Sequence, residues 1–486
     1  MGMPIKVYLW QKIRYHCMSQ RPMPVSDTSY WEKRGFPWLV FGGFALLYLA
    51  NRSPYVGFND GLTFLDTAAH GFDFATNATS HFFYNNLQHL LLKVFFFLPH
   101  VLVLTLFSIA CTLGTLFWVY KSAKLFTENQ GYALIPVVAL GVSFTFWQQS
   151  EIIEVYAFNN LIFTTFLFTA LRDIFQRSRR NYLLVSVLLG IGLITHIQHI
   201  LSIPFFFAYL FWRNELKGSQ KILGMLPWMA LMSILFILPA ITHAHTWKAV
   251  FFESKFQDEL LGVDAWALLK GLALGIGMLL YNFQLMLVPI ALGWRRLWRI
   301  DRRGLIWLSI LALPYLAFAL KYSVNDNHVF YLCFYIVLVL PLVHSFHYQA
   351  KTTNGYLKWL FPLGIAMPVA TYALATLLAP NVGALSKYDS EKAFKGGVVH
   401  LLWPGKAWAK DPLAIAWQEA HLCLHDPQNK ITEWNFPAAV RYLKRQCTES
   451  ETENGSGFVA PLASSMDSCF FECPELLNLK PKFPTE

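Results

Sequence analysis

Three short stretches of this chain combine acids and imidazoles with long apolar runs on either side. The first, NRSPYVGFNDGLTFLDTAAHGFDFATNATSHFFYNN, holds Asp60, Asp66 and Asp73 with His70 and His81, and His89 follows just beyond. A carboxylate in such a loop suits a general base at the surface of an apolar phase, provided it comes within hydrogen-bond reach of the proton it removes. The structural alternative is that Asp60, standing before Gly61, marks a turn, and that Asp66 or Asp73 caps an interfacial helix. The second stretch, WQQSEIIEVYAFNN, sets Glu151, Glu154 and Phe158 at helical spacing, which predicts both acids along one helix face. Burying Glu154 unpaired is costly, so an ion pair to another external segment and contact with a substrate account for it equally well. In the third, THIQH, His196 and His199 stand three apart, as neighbours on one side of a helix do. With no carboxylate beside them, binding of a phosphate or a backbone carbonyl is a more economical use of this pair than a metal. HAH at His243 to His245 and NDNH at Asn325 to His328 add polar groups at the edges of later spans.

The elements that must position these groups follow from composition. Of 486 residues, 55% are hydrophobic, 42 are Phe and 17 Trp, and only 14% are charged, against about 25% in a soluble protein. Such a chain is an all-α polytopic membrane protein. The net charge of +10 resides in short basic clusters beside apolar segments, which membrane topology explains better than a nucleic-acid-binding face does. The opening MGMPIKVYLWQKIRYHC has no apolar core before its charges, so no cleavable signal peptide is expected. Apolar segments long enough to cross the hydrocarbon as helices lie near residues 36–52, 97–120, 131–149, 155–172, 182–199, 200–213, 223–243, 268–294, 304–321, 329–347 and 357–379, about 11 in all. Lys and Arg collect in alternate loops, at Lys121 and Lys124, Arg172 to Arg180, Arg213 to Lys221, Arg295 to Arg303, and Lys351 and Lys358. The excess marks the cytoplasmic side. It places the N-terminus inside, the C-terminal region outside, and the polar regions 51–86, 147–156, 243–266 and 322–328 together on the non-cytoplasmic face.

The chain thus divides into a cytoplasmic segment, 1–35, a transmembrane domain, 36–379, with its long first external loop at 51–86, and a small exoplasmic appendage, 380–486. Cys423, Cys447, Cys469 and Cys473 fall in that appendage. On an oxidising face they allow two disulfides by any of three pairings, and bridges or free thiols are favoured over a metal because no His stands at ligand spacing. No P-loop, GxGxxG, HExxH or EF-hand pattern occurs.

These motifs, in this order, resemble the GT-C glycosyltransferases, in particular their protein O-mannosyltransferase-like branch, over roughly residues 36–346. The Trp-containing turn with Glu-Val-Tyr and a following Asn is matched by Trp147, Glu154, Val155, Tyr156 and Asn159 or Asn160. The Gly-Leu run ending in Asn-His, with Pro beyond, is matched by Gly190, Gly192, Leu193, His196 and Pro204, with Thr195 in the Asn position. The family's Asn-Tyr-x-Val-x-Asp segment looks like Tyr322, Val324 and Asp326, followed by Phe330 and Tyr331. The first loop departs from the pattern: Asn59-Asp60-Gly61-Leu62 stands where the family carries Asp-Ser-Gly-Glu, and its His-Pro-Pro-Gly motif is replaced. The resemblance implies a GT-C-like bundle with a polyprenyl-phosphate sugar as donor and an exported protein or glycan as acceptor. It also implies Asp60 as base with Asp66 as second candidate, and Glu154, Tyr156, Asn159, His196, His199 and Asp326 around the substrate.

The chemistry is self-consistent. A Ser or Thr hydroxyl is a poor nucleophile until a carboxylate accepts its proton, while a lipid phosphate leaves readily if donors stabilise its charge. Direct attack inverts the anomeric centre. No cofactor is required, and a divalent metal is not predicted. The rival readings are a non-catalytic protein that binds or moves a lipid-linked sugar, and a ligase moving a whole lipid-linked glycan. A bacterial cytoplasmic membrane is the expected location, while Asn77-Ala78-Thr79 would be a legitimate glycosylation acceptor if the loop faced an endoplasmic reticulum lumen.

Overall fold

The computed structural model describes residues 35–53, 60–74, 81–176, 181–242, 265–322, 327–349, 356–391 and 397–405. Asp326, the HAH segment and the four C-terminal cysteines lie outside them. Among the described residues all regular structure is helical. In order these are α1 (Phe36–Asn51), α2 (Asp60–His70), α3 (Phe82–Val94), α4 (His100–Ala123), α5 (Gln130–Gly141), α6 (Phe144–Ser150), α7 (Val155–Gln176), α8 (Asn181–Thr195) and α9 (Ile203–Trp212). There follow α10 (Gly218–Thr242), α11 (Ala265–Phe283), α12 (Leu287–Ile300), α13 (Arg302–Lys321), α14 (Leu332–Val339), α15 (Leu342–Gln349), α16 (Tyr356–Leu378), α17 (Gly383–Glu391) and α18 (Gly397–Leu402).

Among the described residues six helical segments are long and apolar enough to cross a membrane, and seven if the bent pair α5 and α6 is one crossing. Length and hydropathy therefore give six to seven candidate spans and leave the expected eleven unestablished. Helices α1, α8 and α9 are apolar but shorter. Helix α7 has 22 residues, about 33 Å of rise, yet carries Asn159, Asn160, Thr164 and Asp173. It tolerates them because it is buried along most of its length, between α4 and α8, where protein and not lipid surrounds it. Outer helices show the reverse pattern, exposing Ile222, Leu226 and Met229 on α10 and Leu269, Leu272 and Ile276 on α11, as lipid-facing helices must.

The sharpest break positions the site. Helices α5 and α6 meet at 77°, which frees backbone groups that hydrocarbon cannot solvate. Each finds a partner: Tyr48 donates its hydroxyl to the Gly141 carbonyl at 2.8 Å, Ser143 Oγ donates to Leu140 O at 2.7 Å, and the Thr145 amide donates to Asn282 Oδ1 at 2.9 Å. Side chains of α1 and α11 thus fix the bend. Chain after the bend runs inward, so every residue from Trp147 to Asn160 is buried. The short external turn expected there is short but covered, because the Ser53 amide at the end of α1 donates to the Glu151 carbonyl at 3.2 Å and closes over it.

Candidate functional site

Helices α2 and α3 form a pair between α1 and α4. Helix α3 is amphipathic in an inverted sense. Its inward face carries Tyr84, Asn85, Gln88 and His89, all buried, while Leu90, Val94 and the following Phe95 to Phe97 are exposed. A helix that hides polar residues and shows apolar ones rests against lipid. His89 Nδ1 donates to the Ala68 carbonyl at 2.7 Å, and Phe64 meets Tyr84 edge-on with ring centroids 5.1 Å apart, which locks α2 onto α3. Asp73, in the connection, holds α3 through its amide to Asn86 Oδ1 at 2.7 Å and its carboxylate to Asn85 Nδ2 at 3.3 Å.

Asp60 opens α2 and is half-buried, one helical turn before Phe64, whose ring also lies 5.4 Å from that of His81. Asp66 is buried in mid-helix, and its carbonyl accepts from His70 Nδ1 at 2.8 Å. Asp60 is therefore the first residue of a helix and not a turn residue, and Asp66 is not a cap.

His81, which precedes α3, joins this pair to the rest of the bundle. Its Nδ1 donates to the Thr195 carbonyl at 3.3 Å, and its ring lies 4.9 Å from that of His196. His196 is 5.4 Å from Tyr156 and 6.5 Å from Phe330, and the Gln198 side chain donates to the Phe330 carbonyl at 3.0 Å. Burial pushes the His81 imidazole down to about 4, and its bond to Thr195 only partly opposes this. Tyr84 stacks on Phe107 and Phe158. Burial raises its phenol well above the usual value, with the charge of Glu154 adding to the effect and hydrogen bonds to the Ser108 and Gln88 side chains opposing it.

The two acids of the second stretch do not share a helix face. Helix α6 ends at Ser150 and α7 begins at Val155, so Glu151 and Glu154 stand on the linker between them. Glu151 accepts from the Trp147 indole, and Trp147 packs against Trp403 with centroids 6.0 Å apart. Residues after α18 thus return to this end of the bundle: Tyr281 donates to the Leu402 carbonyl at 2.7 Å, and Gly405 backs onto Asn51. Gln148 accepts from His328 Nε2 at 3.0 Å.

His196 and His199 likewise part company. Helix α8 ends at Thr195, His196 is extended, and His199 lies in the 3₁₀ turn Ile197–Ser202. His199 faces inward against Phe163 and Gly192, and Asn159 donates to Cys333 Sγ at 3.7 Å in the same interior. The structure therefore gathers His196, Tyr156 and the start of α2 and α3 at one end, with Asn159 and His199 deeper in the bundle. His81, Tyr84, Gln88 and Trp403 were missed as site residues by sequence reasoning. His81 stood in view in the acid-rich loop, but Gln88 and Trp403 carried no motif. Among the described residues no group of three or more metal-ligating side chains occurs.

Comparison with known proteins agrees with this architecture. Residues 83–219, from α3 to the start of α10, match the family model for the protein O-mannosyl-transferase TMEM260 N-terminal domain. The fold is similar to that of ArnT from Cupriavidus metallidurans in its crystal structure bound to undecaprenyl phosphate: TM-score 0.56 at 14% identity, over 84% of this chain and 74% of that one. The apo form of the same ArnT gives a TM-score of 0.54 at 13% identity over the same shares. The chain shares the ArnT fold, and its residues 83–219 are similar to the TMEM260 N-terminal domain. No curated protein sequence matches it. The matched segment holds Glu154, Tyr156, His196 and His199 and excludes Asp60.

Proposed function

We propose that this protein is an integral membrane glycosyltransferase that moves a sugar from a polyprenyl-phosphate donor to an acceptor hydroxyl on the non-cytoplasmic side, with Ser or Thr of an exported protein as the acceptor. The observation that carries the reading is the contact of His81 with His196, because it joins the helix pair bearing Asp60 to the segment bearing Glu154 and Tyr156. Support for the lipid comes from the ArnT fold, whose crystal form holds undecaprenyl phosphate, and from the lipid-facing apolar side of α3.

In this reading Asp60 accepts the proton of the acceptor hydroxyl as that oxygen attacks the anomeric carbon, with Asp66 as the second candidate. The bond from the anomeric carbon to the phosphate oxygen breaks, and the phosphate leaves with the electron pair. Donors aimed at that developing charge lower the barrier. His196 suits this role, since its Nδ1 accepts from the Gln198 amide at 3.1 Å and the neutral ring then carries its proton on Nε2. Tyr156 and Glu154 orient the sugar, and Asn159, His199 and Asp326 complete the surroundings of the substrate. Counting α1, α7, α8, α9 and the bent pair as crossings gives the bundle about eleven spans. The N-terminus is then cytoplasmic, residues beyond 379 are exoplasmic, and the membrane is bacterial.

Purified protein in lipid nanodiscs, given polyprenyl-phosphate-mannose and a Ser/Thr peptide, tests the reading. The expected product is a mannosylated peptide whose anomeric configuration is inverted relative to the donor. Binding of the lipid without transfer to peptide or glycan would instead mark a carrier.

A further inference from the structure

Helix α12 buries one face and leaves a basic one outside. Gly293 lies so near the carbonyl of Pro341, which precedes α15, that a methyl group there would stand 2.3 Å from its oxygen, and the Trp294 indole donates to the Leu338 carbonyl at 2.9 Å. Ile290 and Leu297 are buried as well. Arg295, Trp298 and Arg299 are exposed, Trp298 to 57%. Charge then concentrates at the junction with α13, where Arg302 and Arg303 are also exposed. The Arg302 guanidinium lies 5.8 Å from the Trp298 ring centroid, and that of Arg303 lies 4.1 Å from the Trp212 ring. The acids at this end are already engaged. Asp301 Oδ1 accepts from the Gly304 amide at 2.9 Å and caps α13, while Asp173 and Glu215 pair with Arg213. Arg295, Arg299 and Arg302 make no ion pair among the described residues.

Apolar side chains border these arginines. Leu292, Ile300 and Ile306 are exposed close by in the chain, so the surface passes from apolar to cationic across one helix end, with an exposed indole between. That gradation marks the level of lipid headgroups. A guanidinium fork matches a phosphate with two parallel hydrogen bonds, whereas the amine of a zwitterionic headgroup is repelled by further cations. A cluster of arginines without acids therefore selects a headgroup whose phosphate charge is left uncancelled. An acidic soluble protein would meet the charge but not the apolar border. We infer that Arg295, Arg299 and Arg302, with Trp298, form a docking site for anionic phospholipids of the surrounding bilayer. Helix α13, with 20 residues and about 30 Å of rise, separates Arg302 from Lys321. Tyr322, next in the chain, packs on Phe330, whose ring lies 6.5 Å from that of His196. The docking site thus stands at the opposite end of α13 from the candidate site and is separate from the proposed donor's.

The test uses the full-length protein in nanodiscs of phosphatidylcholine mixed with phosphatidylglycerol, followed by mass spectrometry of the lipids that stay bound after transfer to detergent. Wild type should retain phosphatidylglycerol over phosphatidylcholine by at least about fivefold beyond their mixing ratio, the effect of one arginine at a charged lipid surface. The triple variant Arg295→Gln, Arg299→Gln, Arg302→Gln should retain the two lipids in their mixing ratio. A control with Lys217→Gln and Lys221→Gln, cations of the neighbouring helix junction, should keep the wild-type preference. Melting temperatures in pure phosphatidylcholine should match wild type for both variants, since the altered side chains make no ion pair. Salt supplies a second measure on the unaltered protein: the preference should fall as sodium chloride rises. A preference that survives in the arginine variant, disappears equally in the lysine control, or ignores salt overturns the site. Displacement of phosphatidylglycerol by soluble glycerol phosphate, or by one equivalent of undecaprenyl phosphate, overturns the assignment to bilayer phospholipid.

Discussion

The rings of His81 and His196 face each other at 4.9 Å with complementary tautomers. His81 spends its Nδ1–H on the Thr195 carbonyl and so keeps Nε2 as an acceptor, whereas His196 uses Nδ1 as an acceptor and keeps Nε2–H as a donor. The arrangement requires both rings neutral. His81 is held down to about 4 by burial, against about 6.5 in an unfolded chain. The unfolded state therefore binds its proton first as pH falls, and stability conferred by the neutral ring is complete above pH 6.5 and lost between about 6.5 and 4. Melting temperatures measured from pH 7.5 to 4.5 should fall more steeply for wild type than for His81→Gln. Parallel curves would show that His81 is not held neutral.

The Gly-Leu run that carried part of the family resemblance has a packing explanation at Gly192. A methyl group there would lie 2.5 to 2.8 Å from three atoms of the His199 ring. Gly192→Ala should force that ring to move and cost about 1–3 kcal/mol of stability, as overpacking in a dense interior does. Thermal unfolding in detergent checks this, and an unaffected melting temperature would show that His199 has room to shift.

The far end of α7 holds a buried ion pair. Arg213, 1% exposed, meets Asp173, and Tyr209 donates to the same carboxylate. Asp173 lies about 27 Å along the helix from Val155, remote from the candidate site. Arg213→Met should destabilise by about 3–5 kcal/mol because it strands a buried charge, while the double variant Arg213→Met with Asp173→Leu should recover much of the loss. Single and double variants that melt alike would show that the pair is not coupled.

The apolar helices were legible because lipid imposes length and hydropathy on every outer helix. Observed ends fall close to those expected, as at Phe36–Asn51 and Arg302–Lys321. Legibility failed where protein replaces lipid as the neighbour. Polarity at Glu151 and Glu154 read as an external helix face, because sequence spacing does not show that a 77° bend folds the segment inward. Arg213 counted as a loop cation, since its partner Asp173 is brought to it only by the packing of α7 against α8 and α9. His196 and His199 shared a spacing but not a helix, because the 3₁₀ turn after Thr195 intervenes. Gln88 left no trace in the sequence, since an amide between Leu87 and His89 is ordinary until its burial is seen.

Single-turnover transfer from polyprenyl-phosphate-mannose by Asp60→Asn, measured beside undecaprenyl phosphate binding, tests the central assignment most directly. Loss of the base should cut transfer by about 10²- to 10⁴-fold and leave lipid binding within about twofold of wild type. Transfer at the wild-type rate with binding intact would contradict the account.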